Sequence, residues 1–199
     1  MKKTSMGEFG VIDLQQLHQH KEFFGFLAYQ LSYPEKRTFH PQLLEGTVSP
    51  SSPAYEHVMK YWEKIHAYSL EELEELYVAT FDFQKRATLY MTYVKFEDSK
   101  ERGQMLARLK VLYEMFGLEI PNWELSDSLP LICEFIYAAD WLGDPRADDS
   151  FKILLAVIED GTFHLLNTLK EFNSPYAPLI QGLRATVKSC LKKGDPKHV

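Results

Sequence analysis

Residues 69–83, SLEELEELYVATFDF, carry a helix start, a helix body and a helix end in one stretch. Ser69 is followed three residues later by Glu72, which is the spacing of a capping box. In that motif each side chain satisfies a backbone N–H of the first helical turn. Leu73 and Leu76 then continue an apolar face at helical spacing. The stretch predicts an amphipathic helix whose last turn is YVATFDF.

The same helical periodicity recurs along the rest of the chain, and no run alternates with a period of two. Prolines, glycines and Ser/Pro-rich loops separate the apolar runs. Helices are predicted over residues 12–33, 55–65, 69–80, 103–116, 129–142, 150–158, 163–172 and 176–191. We therefore predict an all-α protein, a single bundle-like domain of two packed helical portions. These are residues 8–117 and 131–193, joined by a hinge loop at residues 118–130.

Two glycines are predicted to punctuate these helices. Gly117 follows the run 103–116 at a position that suits a left-handed C-terminal cap. Gly161, after Asp160, is predicted to separate the runs 150–158 and 163–172.

Composition restricts the class of protein. The 199 residues are 45% hydrophobic and 25% charged, enough for a substantial core, and the net charge is −6. This acidic balance argues against nucleic acid as the main partner, since phosphate binding requires a clustered basic surface. No window approaches the length of a membrane-spanning helix, and the first residues do not resemble a secretory signal. A cytoplasmic protein is the expectation.

Catalytic and metal-binding motifs are missing from the sequence. Cys133 and Cys190 lie far apart in apolar helical runs and are predicted to be buried free thiols. Glu63 and His66 form a single Glu-x-x-His pair, whereas a carboxylate-bridged di-iron site needs a second copy. The glutamates at 71–75 are interpreted as a solvated helix N-terminus. We predict no enzymatic activity and no resident cofactor or metal.

Aromatic and acidic residues concentrate at three breaks between helices, at residues 77–83, 89–103 and 123–135. Core packing explains any single one of these rings better than a binding site does. In combination, rings and carboxylates between helices predict a groove. Such a groove suits an amphipathic helix with Leu or Phe on one side and Arg or Lys on the other.

At these three breaks the sequence also resembles that of a known family, the cytoplasmic assembly chaperones of respiratory nitrate reductase (NarJ type). That family lies within the wider all-helical group of redox-enzyme maturation chaperones related to TorD and DmsD. The matching elements occur in the family's order over about residues 75–135. They are YVATFDF (77–83), LYMTY (89–93), Asp98 with Arg102-Gly103, the helix end at 109–117, and ELSDSLP (124–130) followed by Glu134-Phe135.

The resemblance implies a non-enzymatic role. Members of this family bind the N-terminal segment of the catalytic (α) subunit of nitrate reductase and hold it for molybdenum cofactor insertion before membrane docking. The runner-up is a maturation chaperone that binds the twin-arginine signal peptide of another molybdoenzyme. A helical metalloenzyme and a permanent structural subunit are the alternatives from other classes. A monomer and a homodimer both stay open.

Nine positions match the family's motifs and form the predicted peptide-binding site. They are Tyr77, Phe81, Asp82, Phe83, Tyr90, Arg102, Glu124, Asp127 and Pro130. The rings of Tyr77, Phe81 and Tyr90 are predicted to line the apolar floor of the groove. Glu124 and Asp127 are predicted to accept charge-assisted hydrogen bonds from basic residues of the peptide.

The remaining positions have other expected roles. Arg102 is predicted to brace the hinge carboxylates rather than touch the partner, and Asp82 and Phe83 can equally serve packing or capping. The hinge departs from the family pattern, because Ser126 stands where a proline is common and Ser128 where an aromatic residue or His is common. Serine in place of proline leaves more backbone freedom there.

Overall fold

Helices make up most of the described chain, which covers residues 12–35 and 40–191 of this computed structural model. In these ranges the β-type pairing consists of two isolated bridges, Ile12 with Leu191 and Tyr90 with Ser128. The α-helices are α1 Leu14–Gln19, α2 Lys21–Gln30, α3 Tyr55–Ile65, α4 Leu70–Tyr77, α5 Tyr93–Phe96, α6 Lys100–Met115, α7 Leu129–Ala138, α8 Ala147–Glu171 and α9 Ala177–Ser189. The predicted all-α fold class is confirmed. The predicted outer boundaries at residues 8 and 193 lie outside the described residues.

A single hydrophobic core joins helices from both predicted portions. Helix α7 packs against α2, and α9 packs against both α3 and α8. Phe24 of α2 and Phe135 of α7 are both fully buried in the same cluster. Burying each such side chain contributes about 1.5–3 kcal/mol relative to exposure. The two portions therefore share one core and form one domain.

Local capping signals match the structure closely. The Ser69 side chain accepts a hydrogen bond from the Glu72 N–H, and the Glu72 carboxylate accepts one from the Ser69 N–H. This is the predicted capping box of α4. Gly117 follows α6 with a φ of 81°, and the Leu118 N–H donates to the Tyr113 carbonyl. The predicted left-handed cap is confirmed.

Two predicted helix boundaries are wrong. The run 12–33 is split at His20, whose φ and ψ of −97° and 11° leave the helical range. Neither glycine nor proline marks this position, so the sequence carried no signal for the break. The runs 150–158 and 163–172 are one continuous helix, α8, which passes through Gly161.

Gly161 permits close packing instead of ending a helix. A Cβ at this position would lie 2.6 Å from the Met91 carbonyl oxygen and 2.7 Å from the Met91 Cα. No real side chain tolerates those distances, so the glycine allows the α8 backbone to approach the Met91 backbone directly. The residue thus anchors a loop segment against the longest helix.

The end of α4 differs from a regular last helical turn. After Tyr77 the chain forms a π-helical turn, Val78–Asp82, closed by a hydrogen bond from the Phe83 N–H to the Val78 carbonyl at 3.1 Å. Such turns are rare and occur often at functional sites. This turn directs Phe81 into the core, while Asp82 and Phe83 are exposed.

Within the ranges 12–35 and 40–191, none of the helices combines the length and the apolar character that a bilayer crossing requires.

Candidate functional site

The hinge is tied to the segment of residues 89–92, which we call the strip. The Met91 N–H donates to the Asp127 carbonyl, and the Leu129 N–H donates to the Leu89 carbonyl, both at 2.9 Å. Tyr90 and Ser128 lie between these bonds as an antiparallel bridge. The end of the predicted hinge loop is therefore a paired, buried segment.

Asp127 is fully buried behind this pairing. Its Oδ2 atom accepts hydrogen bonds from the Thr92 N–H at 3.1 Å and from the Thr92 hydroxyl. The Arg102 guanidinium donates to the same oxygen at 3.4 Å. The predicted contact of Asp127 with basic residues of a peptide does not fit this burial, because an incoming basic residue cannot reach a carboxylate that is closed off from solvent.

Arg102 lies against the hinge rather than in solvent. Besides Asp127, its Nε donates to the Thr92 hydroxyl at 3.3 Å, and its Nη1 lies 3.6 Å from Oδ1 of the exposed Asp98. The guanidinium also lies 5.2 Å from the centre of the Tyr93 ring. A buried Arg requires such partners, because an unpaired buried charge is costly.

Phe81 is a core residue and does not form an open groove floor. Its ring contacts the rings of Tyr77 and Tyr176, with ring centres 5.0 Å and 4.9 Å away. The predicted direct contact of Phe81 with a peptide does not fit this burial. Phe81 instead packs against Tyr77 from within the core.

Four predicted residues do come together near the surface, and we name them the acidic tyrosine cluster: Tyr77, Asp82, Tyr90 and Glu124. Burial raises the pKa of Tyr90, and the negative charge of the neighbouring Glu124 carboxylate raises it further. The pKa of Tyr77 is raised by burial and then by the charges of Asp82, Tyr90 and Glu124. Both phenols therefore lie within electrostatic range of both carboxylates, and the Tyr77 hydroxyl itself donates to the Leu31 carbonyl at 3.1 Å.

The two carboxylates of this cluster have no basic partner among the described residues. Asp82 is exposed and Glu124 half-buried, and neither takes part in an ion pair with a described Lys or Arg. The Glu124 carboxylate accepts a hydrogen bond from the N–H of the next residue, Leu125, at 2.8 Å. The cluster can therefore accept a cationic group from outside.

One exposed ring packs against the cluster, and two more belong to residues next to it in the sequence. Tyr33 is 51% exposed, and its ring meets Tyr77 edge to face at 5.6 Å. Phe83 directly follows Asp82 and is 79% exposed, and Trp123 directly precedes Glu124 and is 82% exposed. Sequence reasoning did not select Tyr33 or Trp123. Trp123 is the first residue of the aromatic and acidic break 123–135, whereas nothing in the sequence linked position 33 to position 77.

Pro130 has a local role. It is the second residue of α7 and is half-buried. A proline in the first helical turn loses no hydrogen bond, because those N–H groups have no partner inside the helix. Pro130 therefore belongs to the first turn of α7 and not to the cluster.

The described part of the chain contains neither a reactive thiol nor a set of side chains arranged to bind a metal ion. Cys133 and Cys190 are buried free thiols, as predicted. Burial raises the pKa of the Cys133 thiol, and it raises that of Cys190 to about 11. Both stay protonated and unreactive near neutral pH. No group of three His, Cys, Asp or Glu side chains is arranged to hold a metal ion within residues 12–35 and 40–191.

Comparison with known proteins covers the π-helical turn, the strip and the hinge. The family of nitrate reductase delta subunits matches residues 49–180. The probable nitrate reductase molybdenum cofactor assembly chaperone NarJ of Bacillus subtilis (strain 168) is 35% identical over 134 residues, which is 67% of this chain and 69% of that protein. The nitrate reductase-like protein NarX of Mycobacterium tuberculosis (strain ATCC 25618 / H37Rv) is 31% identical over 110 residues, 55% of this chain but only 16% of that longer protein. The chain belongs to the nitrate reductase delta subunit family.

Proposed function

We propose that this protein is an assembly chaperone of nitrate reductase. In this proposal it binds the N-terminal segment of the catalytic (α) subunit and holds that subunit in the cytoplasm while the molybdenum cofactor is inserted, before membrane docking. Family membership and the function named for the Bacillus subtilis relative support the proposal. The role requires binding and release and no catalysis by the chaperone itself.

The acidic tyrosine cluster is the observation that carries the binding part of the proposal. It joins partly exposed rings to the carboxylates of Asp82 and Glu124, which have no Lys or Arg partner among the described residues. A client segment with apolar side chains on one face and Arg or Lys on the other would satisfy both. A hydrogen bond between charged partners contributes about 1.5–3 kcal/mol. The carboxylates would also disfavour acidic segments.

The size of the cluster fits reversible capture. At about 25 cal/mol per Å², covering on the order of 300 Å² of apolar surface contributes about 7 kcal/mol before the costs of association. Charge-assisted hydrogen bonds compensate for part of those costs. Binding of this strength allows the client to leave without a nucleotide-driven step.

Calorimetric titration with a synthetic peptide of the N-terminal segment of the cognate catalytic subunit tests the proposal. We expect binding that weakens in Glu124→Gln and in Asp82→Asn, with melting temperatures close to that of wild type. Glu75→Gln is the matched control, because Glu75 is an exposed carboxylate on α4 without a role in the cluster. Equal affinity of all four proteins would refute the assignment of the site.

A second titration separates the two candidate clients. The twin-arginine signal peptide of another molybdoenzyme from the same cell is used as competitor. Preference for that peptide over the catalytic-subunit peptide would favour the alternative client. Sedimentation velocity with and without peptide distinguishes a monomer from a homodimer.

A further inference from the structure

The strip that carries Tyr90 is held from three sides. The hinge pairs with it through the backbone bonds of Leu89 and Met91. Helix α8 contacts the Met91 backbone at Gly161. From α6, the Arg102 guanidinium reaches the Thr92 hydroxyl and the Asp127 carboxylate. A loop segment of four residues is thus fixed by three separate elements.

We propose that Arg102 and Asp127 are positioning residues for client binding, which rests on the proposed function above. They do not touch the client. Their ion pair, with Thr92 between them, keeps the strip and the hinge in register. Tyr90 on the strip and Glu124 on the hinge then face the client together.

The short connections along the chain support this role. Asp127 lies three residues after Glu124 and holds Thr92, which lies two residues after Tyr90. Displacing Asp127 therefore moves both members of the cluster relative to each other. A carboxylate and a phenol that are misplaced by about 1 Å lose much of their hydrogen-bonding energy, because hydrogen bonds depend steeply on distance and angle.

The geometry of the ion pair also argues for a positioning role. The contact between Arg102 and Asp127 is long, at 3.4 Å, and Asp127 Oδ1 is buried without a hydrogen-bond partner in the described structure. A buried polar atom without a partner costs stability. Buried ion pairs are in general poor sources of stability compared with apolar packing, and the best-attested reason to keep one is to specify register.

A comparison of two ion pairs separates positioning from stability alone. Arg102→Met removes the ion pair with Asp127. Arg102→Lys keeps the positive charge but loses the planar guanidinium with its fixed arrangement of N–H donors. Arg184→Met is the matched control, because Arg184 pairs with Glu159 between α9 and α8 and is also largely buried. Each variant is titrated with the synthetic catalytic-subunit peptide at a temperature where circular dichroism shows it to be fully folded.

We expect Arg102→Met to weaken peptide binding by at least about fivefold, since loss of aligned charge-assisted bonds has that order of effect. Arg102→Lys should recover part of the affinity. Arg184→Met should lower the melting temperature and leave affinity unchanged. Wild-type affinity in folded Arg102→Met, or an equal loss in Arg184→Met, would overturn the positioning role.

A double-mutant cycle gives a readout that stability does not influence. If Arg102 acts through Glu124, then Arg102→Met should weaken binding much less in a Glu124→Gln background, with a coupling of at least about threefold. Additive effects would refute the proposal. If Arg102→Met does not fold, Thr92→Val replaces it, because this nearly isosteric change removes only the hydroxyl that joins Arg102 to Asp127.

The two proposals fail in different ways. Absence of binding by the wild-type protein would refute the catalytic-subunit peptide as the client. Binding that depends on Glu124 and Tyr90 but is indifferent to Arg102, Thr92 and Asp127 would leave the site in place and remove only their positioning role.

Discussion

The hinge places two carboxylates three residues apart in opposite environments. Asp127 is fully buried against Arg102 and Thr92, whereas Glu124 lies near the surface beside Tyr90 and has no Lys or Arg partner among the described residues. Both belong to one sequence motif and both were predicted to meet the client. The inner carboxylate holds the hinge, and only the outer one is accessible to a ligand.

The π-helical turn shows the same division among aromatic rings. Phe81 is buried against Tyr77 and Tyr176, while Phe83, two residues later, is 79% exposed. Motif membership therefore does not distinguish a supporting residue from a contacting one. Accessibility distinguishes them, and the following substitutions test that distinction.

The largest effect is expected at Phe81. Phe81→Ala removes a buried ring and should lower the free energy of unfolding by about 3–5 kcal/mol, through lost burial and the cavity left behind. Urea denaturation followed by circular dichroism measures this loss. Phe83→Ala is the paired control and should change stability by less than about 0.5 kcal/mol, because an exposed ring loses little on truncation. Similar losses in the two variants would contradict the assigned burial.

The next largest effect is expected for Asp127→Ala. This change should lower the free energy of unfolding by about 3 kcal/mol, because it leaves the Arg102 charge buried without its inner partner. The loss is measured as a shift of the midpoint of urea denaturation, with the dependence of the unfolding free energy on urea concentration unchanged. Asp98→Ala removes the other partner of Arg102, which is 85% exposed. An exposed pair contributes at most about 1 kcal/mol, so this variant should lie close to wild type. A larger loss in Asp98→Ala than in Asp127→Ala would refute the comparison.

Gly161→Ala tests the contact between α8 and the strip. Its new Cβ would overlap the Met91 backbone, and overpacking of this kind costs about 1–3 kcal/mol. Gly103→Ala in α6 is the control, since nothing lies within 4 Å of its Cβ position. That change should stabilise the protein by up to about 1 kcal/mol through helix propensity. Thermal denaturation of the two variants should therefore move in opposite directions.

The smallest effect is expected at Glu72. Its carboxylate is exposed and accepts a hydrogen bond from the Ser69 N–H at the start of the same helix. Hydrogen bonds from Ser69 lower the pKa of Glu72 below its ordinary value of 4.5. Because the folded-state pKa is lowered, the stabilisation is fully present above pH 4.5 and is lost as the pH falls through the folded-state value. The difference in melting temperature between wild type and Glu72→Gln should shrink over that acidic range. A difference that is constant with pH would show that the cap does not depend on the charge.

Local signals in the sequence predicted much of the fold. The capping box at Ser69 and the left-handed cap at Gly117 depend on atoms a few residues apart, so the pattern contains all the required information. The buried free thiols Cys133 and Cys190 followed from apolar helical runs. At Gly161 the local signal misled, because the glycine serves a contact with Met91, which is 70 positions away in the numbering.

The chain's own residue order was sufficient for the all-α class, most helix positions and the family, since periodicity, caps and motif order are properties of neighbouring residues. The packed fold was needed to sort Phe81 from Phe83 and Asp127 from Glu124, and to bring Tyr33 against Tyr77. Those outcomes depend on contacts between segments far apart in the chain, which a one-dimensional pattern does not contain. A side chain becomes buried away from water only when these segments pack together, and its burial governs both its contribution to stability and its access to a partner.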